Sequence, residues 1–360
     1  MGVYRNHVIF KNARIWDGEK FHEGDLAFFG KKIVSLGGTF TADDAEIIDV
    51  SGKLITPGLV DIHAHLKNIS NTTFGTDISL CTIPFGVTAA VDGGACRGDS
   101  AYLDTLSIKS AVFVAIKVED DVPSFENIDA LRERYGDYFA GLKVYFDTSS
   151  KNVKSIGLLQ KVCEYAESHN YKIMVHTTGS PVSMMDVVNT LKKGDIWTHV
   201  YHGGENTSDV DGFKAVFAAK EKGIVVDAGM AGHVHTDFAV LKKAIEAGAL
   251  PDTISTDVTR LSAFVRGGRY GLSTCMGVFK HLGMKEEDIL KCVTTNAAKA
   301  MGKDDWGRLS VGGDATFAIF DTECKGETFS FTDAAGNTAS GNIGYKCVLT
   351  AINGDIVYVN

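Results

Sequence analysis

Six side chains of this 360-residue chain combine metal-ligand chemistry with a regular spacing. His63 and His65 flank a single alanine, and Lys143, His176, His199 and Asp257 follow, each at or just past the end of an apolar, β-branched run. Two residues separated by one on an extended strand point to the same face, so His63 and His65 can approach one cation together. Imidazole and carboxylate suit Zn2+ or a neighbouring transition metal. A divalent cation so held activates water and polarises a carbonyl, which is the chemistry of a hydrolase. His-x-His alone is equally a polar strand end; two further histidines and an aspartate at strand ends favour the metal.

Such residues need a scaffold that brings many strand ends to one rim. The intervals 63 to 143, 143 to 176, 176 to 199 and 199 to 257 are close to three, one, one and two βα units of about 30 residues each. That puts the candidates on strands one, four, five, six and eight of a (β/α)8 barrel, at the C-terminal face where such barrels do their chemistry. Strand-like runs recur at Leu59–Ile62, Val87–Val91, Ala111–Val118, Gly141–Phe146, Lys172–Val175, Ile196–Val200, Ile224–Val226 and Thr253–Ser255. Helical spacing lies between several of them, as in Val153, Ile156, Leu159, Val162, Cys163 and Ala166, and in Val240, Leu241, Ala244 and Ile245.

Both ends of the chain read differently. Short apolar runs broken by Asp17-Gly18, Gly30 and Gly37-Gly38 fill the start, and Asn353-Gly354 marks a hairpin near the end. The expected organisation is a small β-sandwich from 1–53 plus 307–360 beside a barrel over 54–306. Residues 322–344, rich in Thr, Gly, Asn and Ser, read as loops of that small domain.

The balance of 36 Lys and Arg against 45 Asp and Glu leaves a formal net charge of −9, without a basic run to follow a phosphate backbone, so nucleic acid is excluded as a partner. The first residues lack an apolar leader core and no apolar stretch reaches membrane-spanning length. Seven cysteines, without a Cys-x-x-Cys pair, fit a reducing compartment. A cytoplasmic protein with a small-molecule substrate is expected, with self-association into a homo-oligomer left open.

Taken together, Thr56-Pro57-Gly58-Leu59-Val60-Asp61-Ile62-His63-Ala64-His65, Gly141-Leu142-Lys143-Val144, Val175-His176, Thr198-His199, Ser255-Thr256-Asp257, Thr294-Thr295-Asn296-Ala297-Ala298-Lys299 and the run Gly307 to Ala315 resemble the amidohydrolase superfamily along essentially the whole chain. The resemblance implies a (β/α)8 barrel flanked by a β-sandwich from both termini. It further implies that Lys143 marks the binuclear branch, in which the lysine amine adds CO2 and the carbamate spans two divalent cations, Zn2+ foremost. His63, His65 and Asp257 would then hold one cation and His176 and His199 the other, with a hydroxide between them and Asp257 as general base. Physically, an ammonium beside two dications is repelled, its pKa falls, and the free amine can capture CO2. The lesser alternative is that Lys143 caps the barrel and binds a substrate anion.

Within the superfamily the chain is most similar to the amidohydrolase/deacetylase group, through Leu250 to Asp257, which implies cleavage of an amide or ester of a small acyl compound such as an N-acyl amino acid or acetylated hydroxy acid. The alternative is a cyclic amide hydrolase of dihydroorotase or hydantoinase type. Dihydroorotases usually carry Arg two residues after the second histidine, where this chain has Lys67, a point charge without a planar fork. Members of the deacetylase group often have Arg where Tyr145 stands and His where Met230 stands. A catalytically silent relative typically loses ligands, and all six positions are kept here.

Further polar residues are expected at the mouth. Lys67 and Arg260, with Arg266, are candidates for gripping a carboxylate. Tyr145 is a candidate donor to a developing oxyanion. His202, His233 and His235 are candidate substrate contacts, the last two on a Gly-rich stretch that reads as a lid rather than a metal site. Asp61 is expected to orient the first histidine pair. His7, His22, His169 and His281 read as surface or packing residues.

Overall fold

The computed structural model describes residues 7–67, 69, 75–95, 100–148, 153–232, 234–264, 270–324, 329–341 and 344–360. Seven apolar runs pair side by side, in chain order, as a parallel sheet: Leu59–Ala64, Val87–Ala95, Lys109–Ala115, Phe139–Tyr145, Ile173–His176, Ile196–Thr198 and Val225–Asp227. These are barrel strands one to seven. An extended segment over 253–258 closes the ring, bridging Asp227 through Thr253 and Ala64 through Val258. Strand eight is therefore held by isolated bridges rather than a continuous ladder, and the whole is a (β/α)8 barrel.

The strands carry few polar residues because they are covered on both sides. Val60, Ile62, Ala89, Val91, Ala111, Phe113, Met174 and Ile196 pack together inside the barrel, and Ala297, Ala298 and Met301 of the helix Thr295–Met301 plug its lower end. Alternate residues such as Leu59, Val112, Val144, Val175 and Trp197 belong instead to the larger core shared with the surrounding helices. In the helix Ile156–Ser168, Leu158, Leu159, Val162 and Ala166 form the buried stripe. The helix Phe238–Ala247 is capped by Asp237, whose carboxylate accepts from the amides of Ala239 and Val240, and it ends at Gly248 in the left-handed region.

Register decides what the rim presents. Tyr145 pairs with His176, His176 with Thr198 and Thr198 with Asp227, so four strand ends line up as one row at the C-terminal edge. Strand two runs past the apolar run Val87–Val91 through Gly93 and Gly94, and Asp92 accepts from the amides of Gly94 (3.0 Å) and Leu66 (2.8 Å).

Strands from both termini build one eight-stranded sheet, with Lys53–Pro57 between His7–Trp16 and Phe317–Asp321. The sheet curls over its own apolar core until the strand Lys32–Leu36 meets the chain near 313: Ile33 N donates to Gly313 O (3.0 Å) and Gly312 N to Ile33 O (2.8 Å). Phe10, Phe28 and Phe317 meet inside the curl. One expectation changes here. Residues 322–344 contain the hairpin Phe329–Thr332 with Thr338–Gly341, and its turn docks on the barrel, where Asp333 Oδ2 accepts from Phe238 N (2.8 Å) and Ala334 N donates to Thr236 O (3.0 Å). Turn-rich composition conceals strands this short. Among the described residues no helix is long and apolar enough to cross a membrane.

Candidate metal centre

Strand one delivers His63 and His65 to the rim, and strand eight brings Asp257 against them. Asp257 Oδ1 lies 2.9 Å from His65 Nε2 and 3.3 Å from His63 Nε2. Four bonds set that meeting. Asp257 N donates to His63 O (2.6 Å), His65 N donates to Val258 O (2.9 Å), and the buried Asp61 accepts from both the hydroxyl (2.6 Å) and the amide (3.1 Å) of Thr256. Asp61 also accepts from His63 N (3.3 Å), so it fastens strand eight to strand one beneath the histidines.

A second carboxylate settles the tautomer of His63. Asp227, at the end of strand seven, accepts hydroxyl hydrogens from Thr198 (2.6 Å), Ser255 (2.7 Å) and Thr253 (2.8 Å). Because the Thr198 hydroxyl is spent on Asp227, its oxygen is left to accept from His63 Nδ1 at 3.2 Å. The Nε2 lone pair therefore faces the rim. Burial pushes the Asp227 carboxyl up to about 6, against its hydroxyl donors, and that of Asp61 up to about 7.

Lys143 is wholly buried, with Nζ 2.9 Å from His63 Nε2. Burial lowers the ammonium to about 8, although Asp257, Asp227 and Asp92 pull the other way. A sizeable neutral fraction near pH 7 to 8 makes this amine far more nucleophilic than a surface lysine.

The second group consists of imidazoles only. His176 ends strand five, His199 follows strand six, and His235 comes from the stretch after strand seven. Ring centroids stand 4.4 Å apart for His176 and His199, 4.2 Å for His199 and His235, and 4.9 Å for His176 and His235. His199 donates from Nδ1 to Gly229 O at 2.5 Å, which leaves its Nε2 lone pair for the group. Burial holds His199 well below the usual imidazole range and His235 down to about 3, so both rings are neutral.

Two of the residues at the rim have backbones in the left-handed region that side chains disfavour: His199 at φ 64° and Asp257 at φ 46°. Each such position costs about 1–3 kcal/mol and collects at functional sites. In both cases the turn ends a strand and tips its side chain into the mouth.

The donors fit divalent cations. His63, His65 and Asp257 offer ligand atoms within 4.8 Å of one another, as do His176, His199 and His235. His176 Nε2, His199 Nε2 and His235 Nδ1 are buried without a hydrogen-bond partner among the described residues. Leaving each so costs about 1–3 kcal/mol, which an electron-pair acceptor between them would offset.

The remaining expected residues are less uniform. Tyr145 is part-exposed, 5.8 Å ring to ring from His176, and its hydroxyl passes so close to Gly94 that a Cβ there would come within 2.3 Å. His202 is buried, donating from Nδ1 to Gly203 O (2.8 Å) and leaving Nε2 without a partner among the described residues. Lys67 and Arg260 have exposed side chains, Arg260 at the first position of the short helix Arg260–Phe264. His233 and Arg266 lie outside the described residues. Two carboxylates at the mouth escaped the sequence reading: Asp227, and Asp147, whose Oδ2 is 3.6 Å from His176 Nε2. Only their position, at the end of strand seven and two residues past strand four, could have pointed to them.

A (β/α)8 barrel with five histidines and an aspartate crowded at its C-terminal rim defines a barrel metallohydrolase. Residues 54–357 match the Amidohydrolase family, and the chain belongs to it. It is 30% identical over 328 residues to a deacetylase of Brucella anthropi, covering 83% of this chain and 77% of that protein. It is 24% identical to a deacetylase of Enterococcus faecalis over 97% of this chain and 98% of the relative. Among solved structures, a dihydroorotase superposes with TM-score 0.82 at 23% identity over 98% of both chains. An adenine deaminase superposes with TM-score 0.79 at 21% identity over 99% of this chain and 100% of that one. Those two likenesses concern the fold. The family and its deacetylase relatives make this chain a metal-dependent hydrolase of amide bonds.

Proposed function

We propose that this chain is a binuclear deacetylase-type hydrolase that cleaves an amide or ester of a small acyl compound, such as an N-acyl amino acid or an acetylated hydroxy acid. One observation carries the reading: Asp257 stands between both donor groups, Oδ1 meeting His63 and His65 while Oδ2 lies 3.7 Å from His199 and 3.7 Å from His235. His63, His65 and Asp257 would hold one cation, His176 and His199 the other, and Lys143 would join them. Its buried neutral amine adds CO2 with loss of a proton, and the resulting carbamate is an anionic ligand with two oxygens. Bound there, Zn2+ or a similar dication polarises the scissile carbonyl and lowers the pKa of the attacking water.

The protein's own residues do the rest. Asp257 takes the proton from the attacking water and passes it to the leaving amine or alcohol. Tyr145 donates to the developing oxyanion, and His202 offers a polar contact to the substrate from the wall beside His176. Lys67 and Arg260, exposed at the rim, supply positive charge for a carboxylate on the leaving group. The names of the 30% identical relatives support the acyl-transfer chemistry. The catalytic unit is the barrel over 54–306, with 1–53 and 307–360 as its supporting domain. Cys81, Cys163, Cys275, Cys292 and Cys347 form no disulfide, in keeping with a reducing cytoplasm.

The test is a screen of zinc-loaded protein against N-acyl amino acids, O-acetyl hydroxy acids and cyclic ureides. Release of acetate or another acid from an acyclic substrate is the expected result. Ring opening of a ureide, with acyclic substrates untouched, would replace this reading with that of a cyclic amide hydrolase.

A further inference from the structure

Two histidines suffice for the second cation in the scheme above, yet three imidazoles converge where it would sit. We propose that His235 is a third ligand of that cation, so that His176, His199 and His235 together hold it. The inference rests on the binuclear reading.

Geometry supplies the first argument. His235 offers a nitrogen within 4.8 Å of those of His176 and His199, and its ring is nearer to His199 (4.2 Å) than His176 is (4.4 Å). It is as much a member of the cluster as the other two. Hydrogen bonding supplies the second. Each of the three rings keeps one buried nitrogen without a partner among the described residues: Nε2 of His176, Nε2 of His199 and Nδ1 of His235. A ligand nitrogen from each of the three rings lies within 4.8 Å of the other two, close enough for one cation to meet all three. A shared cation accounts for all three at once.

The stretch carrying His235 is also pinned, unlike a lid. Met230 N donates to Ser255 O (3.1 Å) and Ala231 N to Thr256 O (2.7 Å), tying its start to strand eight. Ala231 (φ 49°) and Gly232 (φ 65°) then turn the chain through the left-handed region. Beyond His235, Asp237 N donates to Tyr201 O (3.0 Å), and the Asp237 carboxylate caps the helix Phe238–Ala247. Anchored on both sides, His235 is presented from a fixed position, as a ligand needs to be. A position built from three imidazole nitrogens favours Zn2+ or Co2+ over Mn2+ and Mg2+, which prefer oxygen.

The experiment uses the full chain freed of metal by chelation, titrated with Zn2+ alone against a chromogenic chelator. The wild type should take up two equivalents. His235→Ala and His235→Gln should keep one and bind the other about tenfold more weakly or worse. With Co2+, the visible spectrum of the variants should lose intensity or shift for one ion only. Thermal melts of the metal-free proteins identify any variant that has lost its fold, and the Gln variant, similar in size and polarity, then carries the comparison. If both variants bind two Zn2+ with wild-type affinities and give the wild-type Co2+ spectrum, His235 is no ligand and the proposal falls. If the wild type takes up fewer than two equivalents, it is the binuclear reading that fails, and this inference goes with it.

Discussion

The two donor groups at the barrel mouth are made of different material. His63, His65 and Asp257 belong to strands one and eight and are locked into the fold, since Asp61, Asp227, Thr198 and Thr256 hold their backbones and rings through short hydrogen bonds. His176, His199 and His235 stand at strand ends or beyond, and three of their nitrogens have no partner among the described residues. One group is therefore part of what keeps the barrel closed, whereas the other is completed only by what binds to it. Losing a member of the first should unsettle the protein; losing a member of the second should change chiefly its ligand.

The sharpest way to break that contrast is at the residue both groups share. Asp257→Asn should lower turnover by about 10³-fold or more, because ligand and base go together. Lys143→Ala should do as much, with partial recovery in added propionate; steady-state assays on the substrate found by the screen read both. Full activity in Lys143→Ala would remove the lysine from the centre.

Next in size is the fastening of strand eight. Asp61→Ala leaves the Thr256 hydroxyl and amide unsatisfied in a buried place, and should cost about 3 kcal/mol in urea unfolding of the metal-free protein. His176→Ala, in the group that only a ligand completes, should cost the metal-free protein much less.

A pH series tests the carboxylate beneath His63. Asp227 is lifted to about 6 by burial, so the folded state binds its proton more tightly than the unfolded chain does. Asp227 should therefore take on the order of 3 kcal/mol from the stability of the metal-free protein as pH rises from about 4 through 6, and Asp61, lifted to about 7, should extend the fall in the same direction. Asp227→Asn should flatten that slope, and a slope unchanged in the variant would assign it to other groups.

The smallest effects come from two glycines, one beside each group. A Cβ on Gly93 would fall 2.1 Å from His63 Cδ2, and one on Gly229 would fall 2.2 Å from Thr198 Oγ1 and 2.7 Å from His199 Nδ1. Gly93→Ala should weaken one Zn2+ equivalent and also lower the melting temperature, through its hold on the fastened group. Gly229→Ala should weaken one equivalent by about ten- to a hundredfold. Wild-type Zn2+ uptake in both variants would show that these close approaches do not set the positions of the rings.

Residue type and interval alone determined the barrel and six of the side chains at its mouth. Apolar, β-branched runs recurring at one βα length are a local signal, and a polar residue at the end of such a run is visible without any knowledge of what lies across from it. What only the tertiary structure decided is non-local. Asp61 meets Thr256 across 195 positions. Asp227 becomes the acceptor of three hydroxyls only because strands six, seven and eight lie side by side, and no spacing rule links His235 to His176 and His199. The hairpin within 322–344 was likewise hidden, since its strands are short and its place on the barrel depends on one carboxylate capping a distant amide. Periodicity is written along the chain, whereas the pairing of charges, hydroxyls and lone pairs is settled by closure of the ring.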